Sequence, residues 1–434
     1  ARQVGKTYFI REYAKRHFKT LVEINFDLTP EKELYFEPSD VNDIIQLLET
    51  DLNQKIKPGE TLLFLDEIQA APQVLHKLRY FYENKPDLHI IAAGSLLDFL
   101  LKEAKFSMPV GRIEYLHLSP MTFEEFILAF DENNLYNFLQ TYSLNKVFPP
   151  PLHQKLLKYF RLFLLIGGMP GAINKYIQSK DLEKVSKEHH SIIQSYIDDL
   201  NKYSGKYNPS ILQTIFQKIP FLLAERIKYT NIISDMKTER LAVGINLLEL
   251  AKITCRVFHT SANGIPLGAE KKEREFKLLF LDVGLASNIL GIRLNELYLA
   301  DDPMTINKGA LCEQFIGQHL LYAHKPFMKP EIYFWNRQNK NSAAEVDYIH
   351  SLGQKIFPVE VKAGKTGTLK SLHIFLQEKN LTLAVRFNAD LPTIGLFKEN
   401  TNNQSSRKTE LISLPLYMVG QLDRIILEQS HQSC

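Results

Sequence analysis

The chain has 434 residues, 45% hydrophobic and 23% charged, with a net charge of +3 and a pI near 8.4. That length exceeds one ordinary hydrophobic core and predicts two or three globular domains. The mild basicity excludes a strongly cationic coat for nucleic acid, while leaving room for a local contact patch. Cys255, Cys312 and Cys434 lie far apart, which argues against a disulfide framework or a zinc site and for reduced thiols in a cytoplasmic protein. The longest apolar run, LFLLIGGMPGAI (Leu162–Ile173), is short and interrupted by glycine and proline, so no membrane partner is expected.

ARQVGKT opens the chain. Gly5, Lys6 and Thr7 supply the second half of the phosphate-loop pattern G-x-x-x-x-G-K-[ST]. The first glycine would stand one position before Ala1, and the strand that feeds such a loop is not there. The sequence therefore reads as lacking at least that glycine and that strand. GKTYFIREYAKRHF then has helical spacing, TLVEINF is a short strand, VNDIIQLLETDL is helical and TLLFLD is a buried strand. VLHKLRYFYENK is helical and HIIAAGS is a further strand. This alternation predicts a parallel sheet covered on both faces.

The prolines of VFPPPLHQ (Val147–Gln154) punctuate the chain, and a long helical stretch follows to about Asn201. From Pro209 to Leu285 the order is helix, short extended piece, a second helix in DMKTERLAVGINLLELA, and a hairpin in ITCRVFHTSANGIPLGAEKKEREFKLLFLD. That order suits a winged helix-turn-helix. Within the hairpin, EKKEREFK could touch phosphates or be merely solvated. From Gly309 the pattern is mixed α+β, and the polar ENTNNQSSRKTE (Glu399–Glu410) reads as a surface loop before a last strand or helix.

Two chemical constellations stand out. In the first, the loop Ala1, Arg2, Gln3, Val4, Gly5, Lys6 and Thr7 would point backbone N–H groups at the phosphates of ATP, aided by the N-terminal end of the following helix. Lys6 would reach the β and γ phosphates, and the Thr7 hydroxyl would ligate Mg²⁺. TLLFLDEIQ ends its strand in Asp66, suited to the Mg²⁺ shell, and Glu67, suited to polarising water; Ser95 sits at the tip of the next strand as a γ-phosphate sensor. The plainer alternative is that Asp66 and Glu67 cap the next helix.

The second constellation is SAAEVDYIHSLGQKIFPVEVKAG. Asp347 lies on one strand, and Glu360 and Lys362 share a face of the next. Two carboxylates from adjacent strands can hold Mg²⁺, and a lysine can orient water at a phosphodiester. Glu345 is a spare carboxylate beside Asp347, and Glu313 sits on the preceding helix as a further candidate ligand. Helix, three strands, helix, strand, with D…(D/E)-x-K, resembles the restriction-endonuclease-like fold. A salt-bridged surface strand or an inactive inherited fold remain open. The adjacent His189 and His190 point to different faces of a helix and read as packed or solvated side chains.

Taken in order, ARQVGKT, LLFLDEIQ, AAGSLL, GRIEYLHLSPMTFEEF and IGGMP resemble the AAA+-related prokaryotic ATPases that carry a C-terminal nuclease-like domain of unknown function. The resemblance implies an α/β fold. A P-loop ATPase domain spans 1–146, a helical lid 147–205, a winged helix 206–300, a restriction-endonuclease-like α+β domain 301–398 and a C-terminal extension 399–434. By position it gives Lys6 and Thr7 the Walker A role, Asp66 and Glu67 the Walker B role, and Ser95 the sensor strand. Arg112 becomes either an arginine finger or a partner of Glu114, and Gly167, Gly168 and Pro170 a lid turn. ATP and Mg²⁺ are the expected cofactors and DNA the expected macromolecular partner, with a second copy of the chain left open. ATP hydrolysis coupled to DNA cleavage, ATP-gated DNA binding by an inactive nuclease fold, and a protein-docking module are the three readings these residues allow.

Overall fold

A computed structural model describes residues 1–95, 111–203, 207–292, 308–328, 330–337, 343–364, 369–398 and 408–432. Cys434 and most of the polar loop at 399–410 lie outside them. The chain forms two compact units, Ala1–Ser119 with Pro326–Met328, and Pro120–Lys325 with Lys329–Cys434.

The first unit is built on three parallel strands in the order β1 (Thr20–Asn25), β2 (Thr61–Asp66) and β3 (His89–Ala92). Every residue of β2 is buried, as a continuous apolar run requires when a sheet has no solvated face. Its alternate side chains feed two cores. Leu62 and Phe64 pack with Ile10 and Ala14 of helix α1 (Lys6–His17). Leu63 and Leu65 pack with Ile44 and Leu48 of α2 (Val41–Leu52) and with Val74 and Leu75 of α3 (Pro72–Asn84). The helices thus cover both faces, and the C-terminal ends of the strands are left to the loops that follow them.

The second unit begins with α4 (Phe123–Ala129), closed by a Thr122–Glu125 capping box, and α5 (Asn133–Thr141). The helices α6 (Pro150–Ile166), α7 (Pro170–Ser179), α8 (Leu182–Tyr203), α9 (Pro209–Lys218), α10 (Tyr229–Ile232) and α11 (Thr238–Leu250) follow. Next come strands β4 (Thr254–Thr260) and β5 (Lys271–Phe280), then α12 (Val283–Ile289) and α13 (Lys308–Tyr322). The C-terminal part adds β6 (Ile332–Arg337), β7 (Ala344–Leu352), β8 (Lys355–Val361), α14 (Lys370–Lys379), β9 (Leu383–Asn388), β10 (Thr393–Lys398), β11 (Lys408–Pro415) and α15 (Leu422–Gln432). All eight strands join one mixed sheet in the order β10-β11-β9-β8-β7-β6-β4-β5.

Two of the expected boundaries lie inside packed regions of this architecture. Residues 120–146, expected with the ATPase domain, pack in the second unit. The Phe123 ring meets Phe163 and Phe315 at centroid distances of 5.9 and 6.1 Å, and its N–H donates to His319 Nε2 at 2.9 Å. The division expected between 300 and 301 runs through the large sheet. The hairpin β4–β5 does not project as a wing, because the outer edge of β4 pairs in parallel with β6, Val257 opposite Ile332, and satisfies its backbone groups there. Ala262 and Leu267 accordingly share a core with Trp335, Val346 and Phe375. Among the described residues no single helix is long and apolar enough to cross a membrane.

The IGGMP run is a packing joint inside this unit. Gly167 ends α6 with φ 73°, and a Cβ on it would lie 2.0 Å from Asp282 Oδ1. Gly168 donates its N–H to Asp282 Oδ2 at 2.7 Å and accepts the Met121 N–H at 2.7 Å. The same carboxylate caps α12 by accepting from the Gly284 and Leu285 N–H groups. These glycines serve turn geometry and close approach.

His189, wholly buried, donates Nε2–H to the Ile166 carbonyl at 2.9 Å, and burial pushes its pKa down from 6.5 to about 4. The unfolded chain therefore takes up the proton first as pH falls, so this histidine's stabilising contribution is complete above about 6.5 and lost on the way down through 4. We predict that the urea midpoint of the wild type exceeds that of His189→Gln at neutral pH, the glutamine still reaching the Ile166 carbonyl, and that the gap narrows steadily toward pH 4.5. Trp335, the sole tryptophan, reports the transition. A gap that does not change with pH would contradict a buried neutral histidine.

Candidate functional site

In the first unit, the chain turns from the loop into α1 through Gly5, whose φ of 90° and ψ of 18° are left-handed and open to glycine at little cost. The helix therefore starts at Lys6, where its first N–H groups have no partner within the helix. Lys6 folds back to donate Nζ–H to the Ala1 carbonyl at 2.5 Å. Burial lowers its pKa from the ordinary value, against the pull of Glu67 and Asp66. Thr7 donates its hydroxyl to Asp66 Oδ2 at 3.0 Å, so the helix start and the end of β2 meet. The register that places Asn25 opposite Asp66 also lets the Asn25 amide donate to the same oxygen at 3.4 Å. The Asp66 Oδ1 accepts the Glu67 N–H.

Glu67 itself has φ 51° and ψ 44°, an uncommon conformation for a side chain with a Cβ. It swings the chain off β2 into a short turn that is tied to the next strand by the Ile68 N–H on the Ala93 carbonyl at 3.0 Å. Gln69 donates its amide to Glu67 Oε2, and its own Oε1 is buried against Gly94, where a Cβ would come within 2.3 Å of it. Ser95 follows that glycine and is buried. Arg112 pairs with Glu83 at 3.3 Å, at the end of α3. Gln69 was not among the residues that the sequence singled out; its position two residues past Glu67, in DEIQ, is the only local signal.

Thr7, Asp66 and Asn25 supply hard oxygen and amide groups at one point, and such a donor set fits Mg²⁺. There Thr7 and Asp66 would hold the ion, while Lys6 and the loop N–H groups would face the phosphates.

In the second unit, β7 carries the carboxylates. Trp335 pairs with Val346 but Tyr333 with Ile349, so β7 takes up one more residue than β6 over this span. The bulge leaves Ala344, Val346 and Ile349 on the core face and turns Glu345 and Asp347 to the other side. Tyr348, paired with Val359 of β8, sets Asp347 beside Glu360 one step along. The Val361 N–H donates to Asp347 Oδ2 at 2.7 Å, and Lys362 pairs with Glu360 Oε1 at 2.5 Å. Glu313 arrives from α13, whose Gly317 admits the Tyr348 hydroxyl; that hydroxyl donates to the Glu313 carbonyl at 2.8 Å.

A residue outside the expected set stands among these groups. Lys277 of β5, its side chain 2% exposed, places Nζ 2.8 Å from Glu313 Oε1, 2.7 Å from Glu345 Oε1 and 4.0 Å from Asp347 Oδ1. Burial alone would lower its pKa; the field of Glu313, Asp347 and Glu345 overrides this and holds the ammonium above its ordinary range. Burial lifts Glu313 to about 8 despite the ammonium, with Asp347 and Glu345 adding repulsion. Glu360 rises to about 7, by burial and then by Asp347. Arg226 pairs with the outer oxygen of Glu345 at 3.3 Å.

The structure thus gathers Glu313, Asp347, Glu360 and Lys362, but not as a metal cage. Among the described residues no three His, Cys, Asp or Glu side chains form a metal-holding group. The reason is visible in their partners: Glu313 and Glu345 turn to Lys277, Asp347 Oδ2 to a backbone N–H, and Glu360 Oε1 to Lys362. The expected metal set of Glu313, Asp347 and Glu360 does not fit a divalent ion in this arrangement. We predict that Lys277→Ala lowers unfolding free energy by about 3 kcal/mol or more, because it strands buried carboxylates. Lys272→Ala, on the exposed part of the same strand, should change it by less than about 0.5 kcal/mol. Urea unfolding followed by Trp335 fluorescence checks the pair, and equal effects would refute a buried cation at 277.

Comparison with known families divides the chain in three. Residues 1–127 match the model of an AAA domain, residues 157–296 that of a domain of unknown function (DUF8612), and residues 308–417 that of a second domain of unknown function (DUF4143). No curated protein and no solved structure matches the chain. The first match, together with a parallel sheet under helices, supports an AAA-like P-loop ATPase at the N-terminus.

Proposed function

We propose that the chain is an ATP-hydrolysing switch joined to a DNA-facing unit of nuclease-like ancestry. The observation that carries the nucleotide half is the contact of Thr7 with Asp66 at 3.0 Å, which joins the helix after GKT to the end of the strand TLLFLD. In this reading Lys6 leaves the Ala1 carbonyl for the β and γ phosphates, and the N–H groups at the start of α1 bind the same phosphates. Mg²⁺ would supply charge screening between the phosphates when bound. Glu67, held by Gln69, orients and deprotonates the attacking water, and Ser95 faces the γ-phosphate from beyond β3.

For the second unit, support comes from the Glu-x-Lys strand beside Asp347. Because Lys277 engages Glu313 and Glu345 from within, the reading best supported here is binding of DNA without its cleavage, gated by ATP. Metal-dependent nicking of plasmid DNA by the wild type would favour the cleaving alternative instead.

The expected results are separable. Lys6→Ala should weaken binding of a fluorescent ATP analogue on the order of 10-fold or more, and Glu67→Gln should keep that binding while phosphate release falls by about 10²-fold or more. An unchanged affinity in Lys6→Ala would overturn the nucleotide reading. DNA affinity that does not fall with rising salt would overturn the DNA reading.

A further inference from the structure

Four carboxylates, Glu313, Glu345, Asp347 and Glu360, converge from α13, β7 and β8, and three cations meet them: Lys277, Lys362 and Arg226. Lys362 lies at the end of β8 and Arg226 reaches Glu345 from outside, each with a side chain 30% or more exposed. Lys277 alone is enclosed. Its four-carbon stem passes the Phe334 ring, 5.3 Å from Nζ to the centroid, so the ammonium is fixed by packing as well as by charge. The Glu360 Oε2 atom is buried and has no hydrogen-bond partner, although the residue is only 4% exposed. An acceptor left over in a buried acidic cluster marks a place where positive charge is still short.

We propose that Lys277 is the resident cation of this cluster, taking the position that a divalent ion would need, so that the native chain holds no divalent ion there and removal of the lysine creates a divalent-cation site. The inference rests on the nuclease-like reading only for the expectation of a metal; its claim about binding stands on the geometry of the lysine. A single ammonium satisfies two carboxylates at hydrogen-bond distance and leaves the others to Val361 N–H and Lys362. A divalent ion draws six to eight oxygens at about 2.1–2.6 Å, and Glu313 and Glu345 cannot serve it while they serve Nζ. With a methionine at 277 the stem is retained and the charge is lost. Glu313, Glu345, Asp347 and the free oxygen of Glu360 are then four acceptors around an unneutralised centre.

The test is Mn²⁺ titration of the nucleotide-free full chain, with free Mn²⁺ read by electron paramagnetic resonance, on the wild type, Asp347→Asn, Lys277→Met and the double variant. Any Mn²⁺ held at the phosphate loop is common to all four and cancels in the differences. The wild type and Asp347→Asn should be indistinguishable. Lys277→Met should gain a site at least on the order of 10-fold tighter than any in the wild type, lost again in the double variant. Mn²⁺ should raise the melting temperature of Lys277→Met by more than it raises that of the wild type or of the double variant. A wild-type site that Asp347→Asn abolishes would overturn the proposal, as would a folded Lys277→Met that binds no more Mn²⁺ than the wild type. Should Lys277→Met fail to fold, the wild type and Asp347→Asn still decide, since neither alters the lysine. DNA binding is measured separately, so a failure of the DNA-facing reading and a failure of this one are told apart.

Discussion

Charge burial is the constraint around which the second unit is arranged. Carboxylates from one helix and two strands are costly to take out of water together unless positive charge or protons go with them. The chain meets that demand with a lysine on a distant strand, and this in turn requires β5 to lie where its ammonium reaches Glu313 and Glu345. The course of the hairpin, its union with β6 through β4 and the enclosure of Lys277 beside Phe334 are consistent parts of one solution. A bulge in β7 completes it by turning Glu345 and Asp347 toward α13 while Val346 and Ile349 stay in the core.

The first unit solves a different problem. Its phosphate loop has little apolar substance, so the site is held by backbone conformation and by contacts between strand ends. Gly5 and Glu67 both adopt left-handed backbone, one at the start of α1 and the other at the end of β2. Between them Thr7, Asp66 and Asn25 share one carboxylate oxygen. Each of these groups is anchored to a regular element, so the loop inherits the rigidity of the sheet behind it.

Much of this was legible in the sequence where local pattern sufficed. TLLFLD is a strand because an uninterrupted apolar run suits a sheet buried on both faces, and TLVEINF and HIIAAGS are β-rich runs short enough to pair beside it. Asp347, Glu360 and Lys362 were legible because two adjacent strands bring them together by alternation alone. Lys277 was not. EKKEREFK has the look of a solvated ribbon, and its first six residues are indeed partly or fully exposed. Only the run from Phe276 onward is buried, and what makes a cation tolerable there is a set of acids far along the chain. The parallel pairing of β4 with β6 was hidden for the same reason, since the two are separated by helices and by more than 70 residues (Phe258 opposite Tyr333). Arg112 likewise meets Glu83 at the end of α3, a contact that its own neighbours in sequence do not announce.

The joint at Gly167 and Gly168 has an evolutionary consequence. Asp282 occupies the volume that a Cβ on Gly167 would need, and its second oxygen is committed to the Gly168 N–H. Neither side can change first without loss. A larger residue at 167 collides with the carboxylate, and a larger residue at 282 collides with the glycine. Loss of Asp282 alone would not release the glycines, since Gly167 keeps φ 73° and a Cβ on Gly168 would still lie 2.1 Å from the Met121 carbonyl oxygen. The two short motifs IGGMP and LFLD, more than 100 residues apart, thus meet at one point and constrain each other's side chains there.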